Sequence, residues 1–251
     1  MKTRWFLVLL CIIAIVVGFL VGKSKYDREN AIVENIVSDD ETKEESITQK
    51  SETLNLSSGT SNLVNIREID RSIFVDLKYA TTDNFTRMVL YDGFDGACLQ
   101  PDVARMLAEA SRYLKTLHPG LRLLVYDAVR PLSVQQKMWE RVKDTKYHRY
   151  VAHPERLSLH NFGAAVDLTL ADSLGQPLDM GVPFDHFGRA ASIRDEQGLM
   201  QEGILTLQHV QNRQLLRQVM LHVGFRSVSG EWWHFNACSL QEAKQRYMLV
   251  E

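Results

Sequence analysis

An uninterrupted apolar run over residues 5–22 divides this chain before any argument about a fold can begin. The run is about 18 residues long, close to the ~20 a helix needs to cross a bilayer. Lys2 and Arg4 precede it, and Lys23 and Lys25 follow. Basic residues on the leading side favour a cytoplasmic N-terminus, which puts everything after Gly22 on the outer side of the membrane. Two readings stay open, a cleaved signal peptide and an uncleaved anchor. The apolar stretch is long for a signal peptide and no Ala-x-Ala site follows it, which favours the anchor. Cys11 sits inside the run behind Leu10, where lipid attachment would call for a small residue, so it reads as a lipid-facing side chain.

Residues 23–62 are polar and acidic, with Ser-Asp-Asp-Glu-Thr-Lys-Glu-Glu-Ser at 38–46 and no aromatic after Tyr26. Such a segment cannot bury enough apolar surface to offset its ordering entropy. It is expected to be a flexible tether. Residues 63–251 then form one compact domain. A net charge of -2 gives no electrostatic case for nucleic acid as a partner.

Within that domain the periodicities switch between those of strand and helix. Residues 73–79 alternate loosely and read as a strand. From Pro101 to Leu117, Val103, Met106, Leu107, Ala110, Leu114 and Leu117 recur at helical spacing, with Pro101 in the first turn and Pro119-Gly120 as the stop. Residues 121–129 form a short apolar run, a buried strand. Ser133 and Gln136 resemble a capping box opening a helix through Trp139 and Val142. Residues 164–170 read as another strand, 212–222 as a helix stopped by Gly224, and 232–236 as the last strand. Short, mostly non-crossover connections between these elements predict an α+β fold with a central, largely antiparallel sheet and flanking helices.

The chemistry gathers in two segments. Ser158-Leu159-His160-Asn161-Phe162-Gly163-Ala164-Ala165-Val166-Asp167 carries an imidazole and a carboxylate that can converge if the chain turns between them at Gly163. Both are good zinc ligands, and a catalytic zinc keeps three protein ligands and one open position. The second segment, Gly230-Glu231-Trp232-Trp233-His234-Phe235, supplies a third ligand and a carboxylate three residues before it. The tryptophans are core side chains able to exclude water, which strengthens electrostatics beside them. A Glu embedded there is harder to account for by packing, since Glu is almost never fully buried unless paired. Arg130 ends the 121–129 strand, where it can either pair with Asp127 or reach the developing oxyanion of an amide hydrolysis. The remaining histidines read as surface or capping residues, with His186 a candidate for the pocket through its neighbour Asp185. No CxxC occurs, so Cys98 and Cys238 are not metal ligands; an exported domain permits a disulfide between them, and two free thiols are the alternative.

Taken together these residues resemble the D-alanyl-D-alanine dipeptidases of the zinc D,D-peptidase superfamily. Ser-x-His-x-x-Gly-x-Ala-x-Asp is matched at 158–167 and Glu-x-Trp-His at 231–234. Asp76-Leu77-Lys78-Tyr79-Ala80-Thr81, Asp83-Asn84-Phe85, Asp167-Leu168-Thr169-Leu170, Met180-Gly181 and Phe184-Asp185 match the dipeptidase branch. The resemblance covers residues 65–240. It implies the hedgehog-like zinc D,D-peptidase fold and one Zn2+ per subunit on His160, Asp167 and His234. It further implies Glu231 as acid and base, Arg130 steadying the transition state, Asp185 receiving the substrate ammonium, and Ser158 near the bound peptide. Ala128-Val129 stand where the family carries Gly and an aromatic, which bears on pocket shape rather than chemistry. The expected reaction is hydrolysis of D-Ala-D-Ala in cell-wall peptide turnover, on the extracytoplasmic face of a bacterial inner membrane. A stem-peptide D,D-carboxypeptidase or endopeptidase is the nearest alternative, and a non-catalytic wall-binding module a more distant one. A serine D,D-peptidase is disfavoured because the chain has no Ser-x-x-Lys.

Overall fold

The computed structural model describes residues 62–251 apart from 92, 94 and 95. The anchor or signal segment expected at 1–22, with Cys11, and the tether at 23–62 except its last residue lie outside the described residues. Among the described residues no helix is long and apolar enough to cross a membrane.

Among the described residues seven strands and six α-helices follow in chain order: β1 (Val64–Asn65), α1 (Ile66–Ile69), β2 (Phe74–Val75), β3 (Cys98–Leu99), α2 (Pro101–Leu117), β4 (Arg122–Asp127), α3 (Leu132–Val142), β5 (Ala165–Ala171), α4 (Glu196–Gln201), α5 (Leu207–His222), β6 (Arg226–Ser227), β7 (His234–Asn236) and α6 (Leu240–Arg246). The main sheet has the order β2-β4-β5-β7-β6, and β1 pairs with β3 in a separate two-stranded sheet. Only the β2–β4 pair in the main sheet is parallel; β4–β5, β5–β7 and β6–β7 are antiparallel. The fold is thus mixed α+β with a largely antiparallel sheet, as its alternating periodicities predict. The parallel pair requires a crossover, and α2 lies on that connection.

Strand β5 is buried at every position, so it sits at the centre of the sheet with both faces covered. Leu168 and Leu170 are fully buried on it, and truncating either to Ala should cost ~2–5 kcal/mol. Helix α2 runs over the predicted span, with Pro101 in its first turn and Val103, Leu107, Ala110 and Leu114 on the buried face. That face packs against α5.

Four expectations shift. The strand expected at 73–79 pairs only at Phe74–Val75; Asp76 adds one hydrogen bond to Val125, and the chain then tightens into a 3-10 turn at Lys78–Ala80. The Ser133/Gln136 capping box does not form. Helix α3 begins at Leu132 on the extended backbone of Pro131, so Ser133 is already inside the first turn. Helix α5 starts at Leu207 rather than 212, because Thr206 and His209 cap it reciprocally. The last strand shortens to His234–Asn236. Cys98 and Cys238 are both buried, and Cys238 is a free thiol.

Candidate metal centre and its cleft

Three adjacent strands line up the first polar groups. A register shift between Val125 and Asp127 sets Asp127 opposite Asp167, and Asp167 in turn faces His234 across β5 and β7. Directly opposed residues of an antiparallel pair have Cβ atoms ~5 Å apart, so their side chains are obliged to interact. His160 arrives from the 3-10 turn Leu159–Phe162, which Ser158 and Asn161 cap reciprocally. Gly163 closes that turn at φ +64, where a Cβ would lie 2.7 Å from Leu63 Cδ2 and 3.3 Å from the Gln100 nitrogen. Only glycine fits both the backbone and the space there.

The three candidate ligands offer atoms that lie within 4.8 Å of one another. His234 Nδ1 is 2.9 Å from Asp167 Oδ1 and 3.2 Å from His160 Nε2, which is 3.4 Å from Asp167 Oδ2. The outward nitrogens are committed elsewhere. His160 Nδ1–H donates to the Ala128 carbonyl at 2.6 Å, and His234 Nε2–H donates to Asn236 Oδ1 at 2.8 Å. Each ring therefore presents its inner lone pair to the centre, the arrangement by which outer hydrogen bonds orient metal-binding imidazoles. Burial acts to lower the His234 pKa, yet the hydrogen bond and charge of Asp167 outweigh it and push it up to about 9. Burial likewise works against the Asp167 carboxylate, but the two imidazoles hold it well below the usual carboxylate range. A cation would replace the proton that these atoms share, so two imidazole nitrogens and one ionised carboxylate fit zinc.

The centre opens into a cleft of about 460 Å³ whose lining includes Glu231, Arg130, Asp185 and Ser158. The sequence analysis grouped these four with the three ligands, and the structure gathers all seven residues here. Burial is the main force raising the Glu231 pKa; the charge of Asp167 adds to it and His234 opposes it. Arg130 pairs with Asp127, one of the two readings made of it, and it also lines the cleft. Its Nε and Nη2 donate to Asp127 Oδ2 at 2.8 and 2.6 Å, and Nη2 also donates to Asp167 Oδ2 at 3.4 Å. Asp127 is fully buried, and its other oxygen accepts from Tyr91 Oη at 2.5 Å. Burial alone would weaken the guanidinium's charge, but Asp127 more than restores it.

Across the cleft Asp185 adopts φ +62, a backbone region that non-glycine residues seldom occupy. Its Oδ1 accepts from Tyr79 Oη at 2.9 Å and its Oδ2 from the Phe85 nitrogen at 3.4 Å. Ser158 Oγ accepts from the His160 nitrogen at 3.3 Å, fixing the turn as well as lining the cleft. Trp232 and Trp233 are both buried, and Trp233 lines the cleft. His186 lies outside it, lining a neighbouring cavity. His209 caps α5, His153 caps a 3-10 turn, and His222 stacks on Tyr113.

Sequence reasoning missed Tyr79 and Tyr91 as site residues, and Ala128 and Asn236 as partners of the imidazoles. For Asp127 a signal existed, its i,i+3 spacing from Arg130. Tyr79 lies in a short 3-10 turn and Tyr91 on irregular chain, and neither position carries a spacing that ties it to the site.

The D-ala-D-ala dipeptidase family matches residues 59–250. The D-alanyl-D-alanine dipeptidase of Escherichia coli (strain K12) is 34% identical over 179 residues, 71% of this chain and 86% of that protein. That of Synechocystis sp. is 32% identical, over 58% of this chain and 71% of its own length. That of Enterococcus faecalis is 30% identical, over 64% and 83%. The matched span contains the whole centre, from Tyr79 to His234, and on that footing the chain belongs to the D-alanyl-D-alanine dipeptidase family.

Proposed function

We propose that this chain hydrolyses the dipeptide D-Ala-D-Ala to two D-alanines, using one zinc ion held by His160, Asp167 and His234. The observation that carries the reading is the convergence of three ligand atoms within 4.8 Å in a cleft that also presents Glu231 and Asp185. Bound zinc supplies Lewis acidity there, polarising a carbonyl and lowering the pKa of water toward ~7. Glu231, its proton affinity raised by burial, accepts the proton of the attacking water. It then delivers that proton to the amide nitrogen as the C–N bond breaks. Arg130 provides the positive charge that steadies the oxyanion, and its hold on Asp127 keeps the guanidinium from swinging away. Asp185 receives the free ammonium of the substrate. Leaving that half-buried carboxylate unpaired is costly, which favours an unmodified N-terminus.

The basic residues flanking the apolar run at 5–22 support an extracytoplasmic location, reached through an anchor or a signal segment. Outside the membrane such an enzyme would meet D-Ala-D-Ala released from wall peptides, so wall turnover is the role proposed. The test is a substrate panel on the full chain: D-Ala-D-Ala, its N-acetyl derivative and a stem peptide ending in D-Ala-D-Ala, each with and without chelator. Hydrolysis of the free dipeptide alone, lost on chelation and restored by zinc, is expected. Equal cleavage of the acetylated form would reassign the chain to D,D-carboxypeptidase chemistry, and chelator-insensitive turnover would remove the metal.

A further inference from the structure

On the Asp185 side the cleft adjoins a second space, a cavity of about 730 Å³, and Phe85, Asp185 and Phe187 line both. Phe187 is clasped by other rings. Its centroid is 4.9 Å from Tyr150 in a stacked pair, 5.1 Å from Tyr147 and 5.0 Å from Phe85. Tyr150 lines the catalytic cleft and Tyr147 the outer cavity, so the ring cluster runs from one space to the other. The same loop is tied down two residues earlier, where Asp185 accepts from Tyr79 and from the Phe85 backbone. The outer cavity is polar as well as roomy, with Arg87, Arg141 and His186 in its lining.

We infer that Phe187 is a specificity-determining residue of this enzyme, an aromatic partition that adds to the charge selection at Asp185 by closing the cleft behind the substrate's ammonium group. The inference rests on the dipeptidase reading and deepens it. A substrate whose ammonium meets Asp185 has its N-terminal end at the partition, because Asp185 itself faces both spaces. A peptide with one more residue must carry its extension through the position of the Phe187 ring. Removing that ring joins the two cavities and gives the extension a polar chamber, while the amide N–H that replaces the ammonium keeps a hydrogen bond to Asp185 but loses its charge. The residues that hold the metal and move the proton are untouched. Selectivity and chemistry are therefore separable in this cleft.

The experiment compares D-Ala-D-Ala with a tripeptide bearing one residue N-terminal to it, on zinc-loaded full chain, wild type against Phe187→Ala. The quantity read is the ratio of kcat/KM, tripeptide over dipeptide. It should rise by about tenfold or more in the variant, as removal of a steric block from a pocket does. The same comparison is made as Kd by calorimetry in a Glu231→Gln background, which reads the partition without turnover. Phe187→Leu, with a thermal melt, covers the case in which the Ala variant fails to fold, and should move the ratio the same way by less. A folded variant with an unchanged ratio, in rate and in Kd, overturns the partition while leaving dipeptidase activity standing. Wild-type protein that binds the tripeptide as tightly as the dipeptide overturns it too. Wild-type protein that excludes the tripeptide but hydrolyses no D-Ala-D-Ala sinks the activity and keeps the partition.

Discussion

Replacing Asp185 by Asn should stabilise the metal-free protein at alkaline pH while removing its ability to hold the substrate. Burial is the main reason that the Asp185 pKa is pushed up from 3.8 to about 7; the Tyr79 hydrogen bond opposes it and the charge of Asp167 adds to it. A group with a raised folded-state pKa contributes its stability in full below the unfolded pKa and loses it as pH climbs through the folded one. Neutral Asp185 therefore helps the fold at pH 4, and ionised Asp185 burdens it above pH ~7. A shift of roughly three units at ~1.4 kcal/mol each gives an upper bound of ~4 kcal/mol. For a domain of this size that is a Tm difference of up to ~8–16 °C. Zinc and a substrate ammonium both draw the carboxyl back to its ionised form, so the assay is thermal unfolding of chelated protein at pH 5 and pH 8.5. The Asn variant should match or slightly trail wild type at pH 5, since it retains an acceptor for Tyr79, and exceed it at pH 8.5. With zinc restored, kcat/KM for D-Ala-D-Ala should fall ~10²–10³-fold, because the ammonium loses its charged partner. A gap in Tm that does not change between the two pH values refutes the burial argument, and an undiminished kcat/KM takes Asp185 out of substrate recognition.

Other consequences are as direct. Glu231→Ala should cut turnover by ~10²–10⁴ with zinc still bound at one per chain by elemental analysis; loss of the metal with the activity would make Glu231 a ligand instead. Asp167→Ala removes the one anionic ligand, and the purified variant should hold little zinc. Tyr91→Phe deletes the hydroxyl that donates to Asp127, a charge-assisted bond of ~1.5–3 kcal/mol. Its effect should appear in kcat more than in KM, since the Tyr91 hydroxyl donates to Asp127, which in turn holds Arg130; a change in KM alone contradicts that route.

The three residues that converge at the candidate metal centre were legible because they sit in two short segments with distinctive neighbours. Helix α2 was legible to the residue because an apolar stripe, a first-turn proline and a Pro-Gly stop all agree on it. Long periodic elements announce themselves in this way. Strands of two residues, such as β1, β2 and β3, contain no period to detect. Their pairing is decided by which chain packs on them. At Ser133 the local pattern misled, since a cap is defined by the residue where the backbone leaves the helix, and Pro131 already takes that place. The Tyr91–Asp127 bond spans 36 residues, and the Phe187–Tyr150 stack joins two irregular loops. Contacts of this kind depend on the completed fold, and no nearby spacing encodes them.

The electrostatic design of the cleft explains why its carboxylates behave differently. Among the described residues Arg130 is the only Lys or Arg that lines it, and its two shortest bonds go to Asp127 behind the wall. Asp167 is held ionised by the imidazoles, in the state that a metal cation requires. Among the described residues neither Glu231 nor Asp185 is hydrogen-bonded to an imidazole, and burial outweighs the nearby positive charge and shifts both toward the protonated form. Carboxylates whose environments push their pKa values apart are how one site divides metal binding from proton handling. The division depends on Asp127 holding the Arg130 guanidinium in place. Weakening that pair through Asp127→Asn would leave the guanidinium freer to turn to Asp167 and compete with the metal for its oxygens. The arrangement thus requires zinc affinity, and not only kcat, to fall in that variant, although Asp127 touches neither the metal nor the substrate.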